Sequence, residues 1–391
     1  MGEQDDTGKR PAVRSAIDRR LSTMGRRRFV STLAGVGFGS MAGLLTPDDV
    51  LAAGRDEVPL VYGHVRTPDD RDSSSKGVEP RTTTVPADWF ADLQAAFDAH
   101  RRLGSHFRLG VVGSAVVPGE FGGRNAAVAV DVTDDEAGGE VPESVGDVPV
   151  EVTRVEPEIS ESTDRSSDET VAGKRVPGGV TCSNRDASGT LAPAMYDGET
   201  PFFATSNHVY GGDGGRYRGE PFFLFGSGGA RKIGEVRRGY QLDDFVRIDP
   251  VNGFRPTSEI RGASPSAVVG RFSREGLAEL KARGAKMEKV TPNTGHTSGT
   301  IQAIDGMTCA YGKVCKRGQL KWGSQSDMVD GDSGSVNYRP DPENPGSGVI
   351  VGGLNNARTW WPGEDYIWGT AAYRIANEHG FTFAPPTAGA P

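Results

Sequence analysis

From residue 189 onward the chain is a succession of short apolar runs, "GTLAPAMY", "PFFATSNHV", "PFFLFG", "KIGEVRRG", "DDFVRID" and "SAVVGRF", with turn-forming residues between them. Runs of this length fold as strands, because they are too short for several helical turns and their flanks supply turn geometry. One helical patch, "SREGLAELKARG", interrupts them before "TSGTIQAI", "GQLKWG", "SGSVNY", "SGVIVGGL" and "YIWGTAAYRI" resume the pattern as strands. Two β clusters joined by one connecting segment predict two barrels or sandwiches side by side over 178–391. No fixed repeat period points to a propeller or solenoid. The 55 glycines and 25 prolines among 391 residues agree with this mainly β reading, since both residues weaken long helices.

Upstream, the pattern changes. In "PADWFADLQAAFDAHRR" the apolar residues Trp89, Phe90, Leu93, Ala96 and Phe97 recur at helical spacing, which predicts one amphipathic helix. "LGVVGSAVV", "NAAVAVDV" and "VPVEVTRV" read as strands, giving a small α+β unit over about 85–155. Residues 55–85 are polar and turn-rich, with "PDDRDSSSKG" as flexible linker, so 55–156 together form a small α+β N-terminal domain. Residues 157–177 are an acidic, polar linker, whose Lys174-Arg175 pair is a candidate processing site.

The first 54 residues read as an export signal. "GRRRFVSTLAGVGFGSMAGLLT" (25–46) sets an arginine cluster and Phe29 ahead of an uncharged stretch of h-region length, too Gly-rich for a membrane span. Arg26 and Arg27, then Arg28 and Phe29, have the twin-arginine pattern, and "LAAG" (51–54) offers a small-residue cleavage site. The body of the protein is therefore expected outside the cytoplasm, extracellular or in the cell envelope. It would meet the membrane only through the export machinery or an uncleaved N-terminal segment.

Charge excludes one class of partner. Formal net charge is −8 and the pI is near 5.4, with no basic stripe, so no nucleic acid is expected. Of the 44 basic residues 34 are Arg and 10 are Lys. The three cysteines include Cys309 and Cys315, close enough in sequence to bridge a small loop, with Cys182 left odd. The histidines are scattered without metal-ligand spacing, so no metal is expected. "GGDGGRYRG" and "GVGFG" do not open helices after strands and so are not phosphate loops.

A serine hydroxyl is a poor nucleophile at neutral pH and needs a base, a carboxylate behind the base, and donors for the oxyanion. The chain offers Ser333 in "VDGDSGSVNY", His208 in "PFFATSNHVY" and Asp244 in "QLDDFVRI". Asp243 is the rival of Asp244. Strand alternation favours Asp244, because Val246 and Ile248 then share one face and Arg247 takes the other. A different class using "GDS", the SGNH-type esterases, opens its domain with the serine and is excluded by chain order.

In that order "ATSNHV", "DDFVRI" and "GDSGS" resemble the three catalytic blocks of the chymotrypsin-like (trypsin-fold) serine peptidases. "KVTPNTGHTSGTIQAI" (289–304) is similar to the start of the second barrel in bacterial members such as the streptogrisins. The resemblance covers about 178–391 and implies a double β-barrel serine endopeptidase that cleaves peptide or protein substrates and needs no cofactor. It implies His208 as general base, Asp244 as the orienting carboxylate, Ser333 as nucleophile, and the N–H groups of Gly331 and Ser333 as the oxyanion hole. Asp332 resembles the residue whose carboxylate is buried against a cationic group and holds this turn in shape. Asp327, six residues before Ser333, stands at the offset of the acid that binds Lys or Arg side chains, and His296 would line the same pocket or cap a turn. The 85–155 unit resembles the segment preceding the peptidase in bacterial relatives, which suggests a prosegment. Ser335 replaces the usual final Gly and Asn207 the usual Ala or Gly before the His. The alternative is thus a catalytically inactive homologue acting as a secreted binding or scaffold protein.

Overall fold

The structure is a computed structural model that describes residues 56–66, 78–104, 110–156, 171, 173–184, 186–211, 216–224, 229–309, 314–359 and 365–385. The export signal, 1–54, and the 157–170 part of the linker lie outside the described residues.

The chain is mainly β, as the short apolar runs predict. Strands Met195–Asp197, Thr200–Ser206, Phe245–Pro250, Arg231–Tyr240, Pro221–Leu224, Thr181–Ser183 and Ser188–Thr190 pair in that order. The two ends of this sheet curl together where Ala192 N donates to Ala204 O at 2.9 Å and Thr205 Oγ1 to Thr190 O at 2.9 Å. Alternation sends Phe203, Val246 and Ile248 inward, where they pack with Phe222, Leu224 and Ile233. Cys182 is buried in the same core, and burial pushes its thiol up to about 12, so it behaves as a small apolar side chain.

The second sheet contains a closed ring of six strands. Lys286–Thr291, Gly295–Thr308, Lys316–Trp322, Ile367–Ala371, Val349–Arg358 and Val336–Pro340 pair in turn, and the last returns to the first. Closure removes the unpaired edges an open sheet would expose. Ile301, Leu320, Trp322 and Ile367 fill this barrel, while Phe202, Phe245, Tyr338, Phe381 and Phe383 belong to a further apolar cluster that joins residues of both sheets. Cys309 and Cys315 are disulfide-bonded at the foot of the 316–322 strand.

Residues 55–85 are not mainly linker. Glu57–Val65 and Glu79–Pro86 are paired strands, and "PDDRDSSSKG" between them falls outside the described residues. In the first strand Val58, Leu60, Tyr62 and Val65 are buried, and in the second the β-branched run "TTTV" suits a pleated surface. The N-terminal region joins the second sheet at two places: Glu57–Val65 pairs with Val268–Phe272, and Val111–Val117 pairs with part of the long ring strand Gly295–Thr308. Helix Ala87–Gly104 buries Trp89, Leu93, Ala96 and Phe97, with Asp88 in its first turn and Arg101 and Arg102 in its last, where each charge opposes the helix dipole. This apolar face shares one core with Ile304, Trp322 and Ile350 of the barrel.

Two boundaries differ from expectation. The linker ends early, because Arg175–Gly178 is a strand lying parallel to Arg255–Ile260. "YIWGTAAYRI" is a strand only to Ala371, where helix Ala372–His379 begins, burying Ala372, Tyr373 and Ile375 and stopping at Gly380 with φ 72°. A run of mixed apolar residues fits a strand or a short helix equally well until its neighbours choose.

Candidate active site

His208 lies in the 3-10 turn Asn207–Tyr210, directly after the inward-facing run of strand Thr200–Ser206. Asp244 follows a second 3-10 turn, Gln241–Asp243, in the left-handed region at φ 44°, a conformation Asp tolerates better than most residues. Three bonds lock the two turns together. His208 Nδ1 meets Asp244 Oδ2 at 2.8 Å, His208 N donates to Oδ1 at 3.0 Å, and Asn207 N donates to Asp244 O at 3.1 Å. Because an ionised carboxylate only accepts, Nδ1 carries the proton, and neutral His208 presents Nε2 as an unprotonated nitrogen. Asp244 is fully buried, whereas the His208 side chain is 40% exposed. The couple is anchored at one end and open at the other.

Lys316 also reaches this carboxylate, with Nζ 2.5 Å from Asp244 Oδ2. Burial pushes the Asp244 carboxyl upward, but the Lys316 ammonium and then His208 outweigh it and hold the group well below the usual carboxylate range. The neighbouring Asp243 serves elsewhere. Its carboxylate is held by Arg374 at 3.0 Å and His379 at 2.7 Å, fixing the C-terminal helix against the turn.

The serine loop is clamped by both sheets. Thr190 Oγ1 donates to Gly331 O at 2.8 Å, Thr190 N to Ser333 O at 2.8 Å, and Gly334 N to Asn355 O at 2.8 Å. Asp332 is fully buried, and its Oδ2 takes Lys289 Nζ at 2.7 Å, Val329 N at 3.2 Å and the hydroxyl of Thr294. Lys289 is thus the cation expected opposite Asp332, and burial lowers its ammonium in spite of that partner. Of three consecutive amides only the middle one is used: Asp332 N donates to Val329 O, while no acceptor among the described residues meets the N–H of Gly331 or Ser333. Two unspent donors one residue apart are what an oxyanion pocket requires.

Ser333 Oγ is brought to this junction but not onto His208. It donates to Asn356 O at 3.2 Å, and among the described residues no hydrogen bond joins it to the imidazole. The neighbourhood is shared nonetheless, since Thr205 Oγ1 is 3.4 Å from Ser333 O and Ser206 Oγ is 3.2 Å from Asn355 O, on the residues leading to His208 and Asn356.

Both departures from the resembled pattern have local reasons. Asn207 is buried and accepts from the hydroxyl of Tyr217, in space left open by Gly239 on the adjoining strand. Ser335 is buried, its Oγ accepts from Asn355 Nδ2 at 3.0 Å, and its backbone is not in the left-handed region, so no glycine is needed there. Asp327 caps its own 3-10 turn, with Oδ2 accepting from Ser324 N at 2.8 Å. His296 Nε2 meets Glu288 Oε2 at 2.9 Å across the 286–308 hairpin, with its side chain 57% exposed. Sequence reasoning missed Lys316, Lys289 and Asn356. The available signal was the scarcity of lysine: Lys289, Lys316 and Lys321 are buried against Asp332, Asp244 and Asp131.

No family profile matches the chain, and no curated protein matches it. Among solved structures it is similar to a glutamic acid-specific serine protease said to use a histidine triad in substrate binding, at 16% identity over 53% of this chain and 99% of that one, TM-score 0.40. It is likewise similar to Thermobifida fusca protease A, at 14% identity over 54% and 99% of the two chains, TM-score 0.39. A Nocardiopsis protease matches at 14% identity over 53% of this chain and 97% of its own, TM-score 0.39.

Proposed function

We propose that this chain is an exported serine endopeptidase that cleaves peptide bonds through an acyl-enzyme. The observation that carries the reading is the His208–Asp244 couple set beside a loop whose Gly331 and Ser333 amides meet no acceptor among the described residues. Ser333 Oγ would leave Asn356 O by a χ1 rotation and give its proton to His208 Nε2 as it attacks the substrate carbonyl carbon. The oxyanion would accept from the two free amides, and Asp244 would stabilise the imidazolium. His208 would then protonate the leaving amine, and water would repeat the steps to release the acyl group. No step calls for a cofactor. The N-terminal 54 residues would direct export through the twin-arginine route, which Arg26→Lys/Arg27→Lys tests by retention of the protein in the cytoplasm.

A second reading, an inactive homologue that binds rather than cleaves, draws on the bond from Ser333 Oγ to Asn356 O and on Lys316 at the orienting carboxylate. A fluorophosphonate probe separates the two. Labelling of the full chain that disappears in Ser333→Ala and falls strongly in His208→Ala supports the peptidase. A folded protein that takes no label, before or after processing, supports the binding protein.

A further inference from the structure

A cleft of about 530 Å³ on the first barrel is lined by Arg218, Arg237, Arg238, Tyr240 and Arg247. None of these residues belongs to the Ser333, His208 and Asp244 group. The cleft is built by a break in strand register. Between the 231–240 and 245–250 strands Val236 faces Ile248 and Arg238 faces Arg247, which leaves Arg237 as the extra residue of a β-bulge. A bulge sets two residues against one and re-aims a side chain, here placing Arg237 and Arg238 against Arg247. Like charges directly opposite one another destabilise a sheet.

Among the described residues, only Arg247 of these cations has an ion-pair partner. Arg247 pairs with Asp197 at 2.6 Å and Asp249 at 3.3 Å, and its guanidinium lies over the Phe202 ring. Arg238 lies over the Tyr240 ring at 5.0 Å. The side chains of Arg218, Arg237 and Arg238 make no hydrogen bond or ion pair among the described residues. In a chain with 52 acidic against 44 basic residues, three guanidiniums with no ion-pair partner among the described residues, gathered around one hollow, concentrate positive potential where the overall field is negative.

We infer that this cleft binds a ligand bearing a phosphate group. A carboxylate brings one charge and two oxygens, which would leave two guanidiniums uncompensated. A phosphate group brings up to two charges and oxygens pointing in several directions, which the planar donor forks of Arg218, Arg237 and Arg238 lining the cleft can share. The volume falls within the roughly 300–1,000 Å³ of small-molecule sites, so an organic body fits beside the anion, with the Tyr240 ring as a face to pack against.

The test is calorimetric titration of the full chain with inorganic pyrophosphate at low salt. Binding is expected in the natural protein and should weaken at least about tenfold, equivalent to about 1.4 kcal/mol, in Arg237→Gln/Arg238→Gln. Arg218→Gln should weaken it as well. Removing like charges should leave the ligand-free melting temperature of the double variant unchanged or higher, which separates loss of the site from loss of the fold. Binding to phosphatidic acid vesicles that pyrophosphate displaces would assign the group to a lipid headgroup; pyrophosphate binding without vesicle binding would assign it to a soluble ester. No pyrophosphate binding, equal binding in the double variant, or binding of a Glu-rich peptide in place of pyrophosphate would overturn the assignment.

Discussion

Lys316 shares Asp244 Oδ2 with His208, at 2.5 Å and 2.8 Å, so one buried carboxylate oxygen answers two cation-capable groups. A fixed ammonium beside the couple works against a second positive charge on the imidazole. Replacing it by an apolar side chain of similar length should make the protonated imidazole easier to form. Lys316→Met is expected to move the acid limb of the fluorophosphonate labelling profile to higher pH. It should also cost about 1–3 kcal/mol, because part of a buried carboxylate is left unpaired. An unchanged profile would show that Lys316 is electrostatically silent at the couple.

The serine loop depends on Gly334 more than on Ser335. Gly334 has φ 91°, and a Cβ there would meet Thr205 Oγ1, the backbone oxygen of Thr190 at 2.5 Å and Ser206 N at 2.8 Å. Backbone atoms cannot swing aside as side chains do. Gly334→Ala should therefore abolish labelling and lower the melting temperature. Ser335→Gly should keep its label and lose about 1 kcal/mol with the Asn355 bond. Equal damage from both substitutions would contradict this division of roles.

The Lys289–Asp332 pair has both partners fully buried, so its stability should be non-additive. Lys289→Met strands the carboxylate and is expected to cost about 3–5 kcal/mol, whereas Lys289→Met/Asp332→Asn removes the charge and should cost less. Denaturant melts of the three proteins decide the point. A double variant weaker than the single one would mean that the Asp332 carboxylate matters mainly through Thr294 and Val329.

Much of this site was legible because its chemistry sits in turns. His208 follows the apolar run of strand Thr200–Ser206 into a polar turn, and Asp244 precedes the run of strand Phe245–Pro250; strand alternation favours Asp244 over Asp243, although Asp244 itself stands off the strand at φ 44°. The lysines were illegible for the opposite reason. In "KRGQLKWG" and "KVTP" an ammonium reads as a solvated strand residue, and only partners 43, 72 and 190 residues away in sequence make burial of Lys289, Lys316 and Lys321 sustainable. The strand at 57–65 was missed similarly. Its alternating apolar residues face a core shared between the N-terminal helix and strands and residues of the second sheet more than 200 positions downstream, so local composition suggested linker.

That strand also carries an acid-sensitive group. His64 pairs in register with Arg271, its Nδ1 is buried with no hydrogen-bond partner among the described residues, and burial, helped by the Arg271 charge, lowers the imidazole from 6.5 to about 4. The folded state therefore binds fewer protons than the unfolded chain between these values. The associated stability is fully present above about pH 6.5 and is lost as pH falls toward about 4. Melting temperatures of the natural protein should decline through that window, and His64→Gln should flatten the decline, since glutamine has no proton to take up. The loss should begin at the seam between the 57–65 and 268–272 strands, so amide exchange at Gly63 and Val65 is expected to accelerate in acid before exchange in the six-stranded ring. A slope identical in His64→Gln would assign the loss in that window to groups other than His64, and Asp244 is not one of them. Its depressed carboxyl gives stability that is lost only below about pH 4, as pH falls toward its folded value.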